Sequence, residues 1–124
     1  MRLSANVIIK TASAVALLGC FGLITPLTVS AADDADVTAG KELAFDRKKG
    51  NCLACHQIAG GDLAGNIGPP LVAMKARFTD FEKLKSQIAD ARKNNPNTIM
   101  PPFGPHSILS SGDIDKVAKY IHTL

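Results

Sequence analysis

Tryptophan is absent from this 124-residue chain, and its other aromatics are one tyrosine and five phenylalanines. So few rings cannot fill the core of a small domain, and the missing apolar bulk has to come from another source. Charge of one sign is also lacking, with 14 Lys and Arg against 11 Asp and Glu, +3 in all. Nothing in that balance suits a nucleic-acid partner. Cysteine is scarce at three residues. A zinc site would need two more ligands of suitable spacing, but there is no second Cys pair, and His106 and His122 lie far downstream. No repeat, low-complexity tract or strand-like alternation is present.

What is present is Cys52-Leu53-Ala54-Cys55-His56. Two thiols and an imidazole at this spacing form an attachment site for c-type haem, the thiols adding across the two vinyl groups and His56 becoming the proximal axial ligand. One covalent haem c per chain follows, and the macrocycle supplies the missing apolar bulk. Once Cys52 and Cys55 are thioethers and Cys20 has left with a leader, no free thiol remains. That excludes a disulfide framework and a cysteine nucleophile, so no catalytic residue is expected on this chain.

The N-terminus agrees. Arg2 and Lys10 precede an uncharged, small-residue-rich apolar run that ends in Val29-Ser30-Ala31 before Asp33-Asp34, the pattern of a Sec signal peptide cleaved after Ala31. Export to the periplasm fits haem attachment outside the cytoplasm. Two alternatives stay open: lipidation at Cys20, in a loose lipoprotein box, and an uncleaved anchor. With the leader (1–31) removed, 32–124 form one monohaem domain with no membrane span and a formal charge of about +1. Two ionised propionates bring that to about −1.

Along this domain, 33–37 read as a short mobile acidic start and 38–49 as a first helix, with Thr38 as N-cap and Arg47, Lys48 and Lys49 at its dipole end. A glycine-rich loop covers 57–70. Thr79-Asp80-Phe81-Glu82 is a capping box for a helix to 93 with Phe81, Leu84, Ile88 and Ala91 on one face. A Pro-rich loop spans 94–105. Ser110-x-x-Asp113 opens a last helix whose Ile114, Val117, Ala118, Ile121 and Leu124 share a face. The fold expected is all-α, three to four helices around one haem.

Met100 is the favoured sixth ligand, since Pro101 and Pro102 stiffen the loop that would present its thioether. Met74, His106 and an open site are the alternatives. A soft, neutral thioether favours ferrous iron, and axial ligands move haem potentials over roughly 0.8 V. A saturated iron points to electron transfer over ligand sensing or peroxidase chemistry.

The position of the haem motif after the first helix resembles class I cytochromes c. Gly68-Pro69-Pro70-Leu71 is similar to that class's Gly-Pro-x-Leu segment, which implies that the Pro69 carbonyl accepts a hydrogen bond from His56 and orients it. Residues 50–124 further resemble the SoxX family, monohaem subunits of SoxAX cytochromes. The resemblance rests on Gly50-Asn51 with the haem motif, Gly65-Asn66-Ile67-Gly68-Pro69-Pro70-Leu71, Asn95-Pro96-Asn97-Thr98-Ile99-Met100-Pro101-Pro102-Phe103-Gly104 and Ile114-Asp115-Lys116-Val117. It implies a SoxA-like partner carrying the catalytic cysteine of a thiosulfate-transferring complex, a SoxYZ-like carrier, and a downstream cytochrome c as acceptor. The competing reading is a free-standing periplasmic electron carrier.

Overall fold

The computed structural model describes residues 30–124, with side chains from Asp33 onward. The leader through Val29, with Cys20, lies outside the described residues, as does the side chain of Ala31 at the expected cleavage point. Four helices carry the fold: α1 (Ser30–Phe45), α2 (Met74–Arg77), α3 (Phe81–Ala89) and α4 (Ser111–His122), with 3-10 turns at Cys52–Ala54 and Ala91–Lys93. No strand occurs among the described residues. The architecture is the all-α one expected.

Helices α1 and α4 cross closely because Gly40 offers no side chain at the crossing. A Cβ there would overlap the Lys116 carbonyl and sit 3.1 Å from Tyr120 Cβ. Ala44, fully buried, continues the contact one turn on, and Phe45 meets Tyr120 edge to face at 6.1 Å. Ion pairs border it: Lys119 reaches Asp36 at 2.6 Å and Asp115 at 3.6 Å, while Lys85 of α3 reaches Asp115 at 2.8 Å. Leu84 and Ile88 of α3 join Ile114, Val117, Ala118 and Ile121 of α4 in the core. The expected α4 face is thus buried, with Leu124 partly so and Tyr120 added to it.

Four boundaries differ from expectation. Residues 33–37 are helical rather than mobile, because Lys119 ties down Asp36 and because Thr38 does not cap: its hydroxyl donates back to the Asp34 carbonyl at 3.0 Å, one turn earlier. At the other end α1 stops at Phe45. Asp46 then organises a turn, accepting from Lys48 N at 2.8 Å, so Arg47, Lys48 and Lys49 lie beyond the helix rather than at its dipole end. Helix α3 is capped by Asp80, one residue after Thr79, through bonds from Glu82 N and Lys83 N. It ends at Ala89, where extended Asp90 restarts a single 3-10 turn and is clasped by Arg92 at 2.7 and 2.9 Å. The Ser110–Asp113 capping box forms as expected.

Two outcomes test this packing. Gly40→Val should destabilise the haem-bound protein by about 1–3 kcal/mol in denaturant titration, since backbone must move to admit the side chain; a change below about 0.5 kcal/mol would contradict a tight crossing. Asp115 is held below the ordinary carboxylate range, chiefly by the Lys85 hydrogen bond. A depressed folded pKa adds stability above the unfolded value, near pH 4, and loses it as pH falls. Asp115→Asn should therefore flatten the acid limb of the stability profile below about pH 5 while sparing the limb above it.

Candidate haem site

The helices leave a cavity of about 770 Å³ between them. Val117 and Ile121 of α4, Leu84 and Ile88 of α3, and Phe103 form its apolar wall. Cys52, Cys55 and His56 lie on one side of it and Met100 also lines it, so the four residues singled out for thioethers and axial ligation share one space. The cations Arg47, Lys48, Lys49 and Arg77 line it too, and among the described residues no Asp or Glu does. Apolar walls, a paired thiol, an imidazole and a purely cationic charged rim match a flat apolar ring bearing two carboxylates.

The haem motif is aimed by backbone geometry. Asn51 adopts a left-handed conformation at φ 47°, reversing the chain out of the Asp46 turn and into the 3-10 turn of Cys52–Ala54. His56 N closes that turn by donating to the Cys52 carbonyl at 2.9 Å. Burial pushes the Cys52 thiol up to about 11, with its own backbone hydrogen bond opposing and Cys55 adding to the shift. Because the thiolate is the nucleophile, folding before haem attachment suppresses the reactive form.

Pro69 sits where the sequence expects it. His56 Nδ1 donates to the Pro69 carbonyl at 2.7 Å. A carbonyl only accepts, so Nδ1 carries a proton, which makes Nε2 the nitrogen that offers a lone pair to an iron in the neutral ring. Gly68 allows this approach: a Cβ there would lie 2.5 Å from His56 Cε1. The rest of loop 57–70 is pinned by bonds from Gly65 N to Leu53, Gly68 N to Cys55 and Leu71 N to Gln57.

Met100 is half-buried, and its amide donates to Thr98 Oγ1 at 3.2 Å. Buried Pro102 and Phe103 plug the following segment into the core, and Gly104 N bonds the Ala89 carbonyl at the end of α3. Met74 also lines the cavity, but it is only 3% exposed and its sulfur lies 3.4 Å from Arg77 Nη1. His106 is exposed and does not line the cavity. His122 Nε2 is engaged with the Phe78 carbonyl at 3.0 Å.

The comparisons match this geometry. The cytochrome c family model covers residues 37–124. The chain belongs to the cytochrome c family. The crystal structure of SoxXA from P. pantotrophus superposes with a TM-score of 0.63 at 27% identity, covering 69% of this chain and 79% of that one. An uncharacterized lipoprotein of Aquifex aeolicus (strain VF5) is 34% identical over 79 residues, 60% of this chain but 37% of that protein. Cytochrome c-552 of Nitrosomonas europaea is 29% identical over 79 residues, 62% of this chain and 73% of that one. The cytochrome is thus SoxX-like and of class I, and it binds covalently attached haem c.

Sequence reasoning missed the left-handed Asn51 and Ala73, the short α2 between them and α3, and the part played by Arg77. Neither left-handed residue is a glycine, which would have been the usual signal. Removing the cofactor tests the whole arrangement. A Cys52→Ser/Cys55→Ser variant should lose covalent haem and, by far-ultraviolet circular dichroism, most of its helicity; native helicity without haem would show that the cavity does not govern the fold.

Proposed function

We propose that this cytochrome is a periplasmic electron-transfer subunit of the SoxX kind. In that role Cys52 and Cys55 carry the thioethers, His56 and Met100 are the axial ligands, and Pro69 orients His56. When bound, haem c supplies reversible one-electron exchange between ferric and ferrous iron. The chain's own residues define the conditions. Pro69 holds the His56 proton on Nδ1, leaving Nε2 to ligate. The Thr98 and Pro102–Phe103 anchors hold the Met100 thioether at the cavity. Leu84, Ile88, Val117 and Ile121 would keep water from a bound ring, and Arg47, Lys48 and Lys49 would offer positive charge to its propionates.

The likeness to SoxXA, together with the Met100-Pro101-Pro102-Phe103-Gly104 loop, carries the reading of function. A SoxA-like partner would join thiosulfate to a SoxYZ-like carrier cysteine, a two-electron oxidation forming a sulfur–sulfur bond, and this chain would accept the electrons and pass them to another cytochrome c. No catalytic residue is assigned to this chain, since neither described cysteine remains a thiol once haem is attached. Ile67 and Ile99 line the cavity, where a bound ring would be their apolar neighbour. The similarity to cytochrome c-552 favours the second reading, a free-standing carrier. The mature domain is taken as 32–124, exported and cleaved after Ala31.

Two measurements test these assignments. Met100→Ala should keep haem covalently bound and lose the ferric methionine-to-iron band near about 695 nm; an unchanged spectrum moves the ligand to Met74 or His106. Light scattering on the gently purified native protein should show a stable heterodimer with a larger haem protein, reduced by thiosulfate when a SoxYZ-like carrier is added. A lone monomer would replace this reading with the free carrier.

A further inference from the structure

The segment that meets His56 has an unusual weakness. Pro69 and Pro70 are consecutive, so the middle of the strap from Gly68 to Leu71 has no backbone N–H to donate. Gly68 N anchors one end to Cys55 at 2.8 Å and Leu71 N anchors the other to Gln57 at 2.9 Å. Between them only the two proline carbonyls make bonds. Pro69 accepts from His56 Nδ1 at 2.7 Å, and Pro70 accepts from Arg77 Nη1 at 2.9 Å. Left to itself, the strap would hang on the imidazole it is supposed to orient.

Arg77 is built to supply the independent support. It closes the four-residue α2, whose start is forced by left-handed Ala73 at φ 50° and tied to the chain end by the Met74 N bond to the Leu124 carbonyl at 2.7 Å. The same Nη1 lies 3.4 Å from Met74 Sδ, so a buried side chain fixes where the guanidinium stands. A planar fork of donors on a fixed stem suits this task better than a flexible ammonium. Support thus runs from the C-terminus through Met74 and Arg77 to Pro70, and from there to its neighbour Pro69.

We propose that Arg77 is a positioning residue for the proximal histidine, holding the Pro69–Pro70 strap so that the His56 Nδ1–H bond stays closed. The proposal rests on the reading of His56 as the axial ligand. It concerns a hydrogen bond that sets ligand basicity, and its effect is local.

The test is proton exchange at His56 Nδ1 in the ferrous, haem-bound protein, followed by NMR with nitrogen-15-labelled histidine. Arg77→Met keeps the apolar stem and removes the donors. It should speed Nδ1–H exchange about tenfold or more while the amides of Val117 and Ile121 in α4 change by less than about twofold. Unchanged Nδ1–H exchange would overturn the proposal. Equal acceleration of all three sites would also overturn it, because Arg77 would then be a general stabiliser. If Arg77→Met yields too little haem-bound protein, Arg77→Gln, whose shorter amide cannot reach both acceptors, is read against the same outcomes. The ligand reading is checked separately in the unmutated protein, where the His56 ring protons must show the strong upfield shift of an imidazole under a haem. Without that shift the ligand assignment fails, and with it the proposal; with the shift present and exchange unchanged, only the role of Arg77 fails.

Discussion

A hole of about 770 Å³ at the meeting point of the helices is the constraint on which the rest depends. Leu84, Ile88, Val117 and Ile121 are buried where α3 packs on α4 and present their edges to the cavity, whose wall Leu71, Ile67 and Ile99 continue with partly or largely exposed apolar surface. Open to water, that wall would forfeit roughly 25 cal/mol for every Å² of apolar surface. No natural side chain is large enough to close a gap of that size. Haem is therefore both the redox centre and the largest piece of the core, and covalent attachment guarantees that the folded state always contains it.

The two sides of the cavity are held by different physics. On the His56 side the chain is a hydrogen-bonded strap, with Gly68 N, Leu71 N and the Pro69 carbonyl each making a directed bond. On the Met100 side the hold is mainly apolar, through buried Pro102 and Phe103, with Thr98 and Gly104 supplying two further bonds. The division suits the proposed ligands. An imidazole has a second nitrogen through which a directed bond can tune it, whereas a thioether has no comparable handle and is best controlled by where its loop can go.

Much of this was legible in the sequence because the informative residues act locally. The haem motif, the Ser110–Asp113 capping box and the spacing along α4 each declare themselves within a few positions; the structure forms the last two and brings Cys52, Cys55 and His56 to one cavity. What could not be read depended on partners distant in sequence. Thr38 looks like an N-cap until Lys119, far along the chain, extends the helix ahead of it by pairing with Asp36. Gly40 looks like a helix weakness until α4 is laid across it. Arg77 looks like a solvated cation until the missing N–H groups of two prolines are counted. Ala73 carries no local sign of its left-handed backbone at all.

Charge and surface then bear on what kind of electron carrier this is. Cationic residues line the cavity, and with the proposed domain 32–124 at about +1 and two ionised propionates added the net charge would be about −1, which provides little long-range steering toward a partner. A shuttle that must find successive partners by diffusion gains most from such steering, since it raises association rates far above those of uncharged encounters. A subunit that stays docked has no such need and is better served by apolar contact. Isoleucines 67 and 99 line the cavity, so a bound ring would be their first apolar neighbour. On the proposed reading as a resident subunit, a low net charge costs the chain nothing.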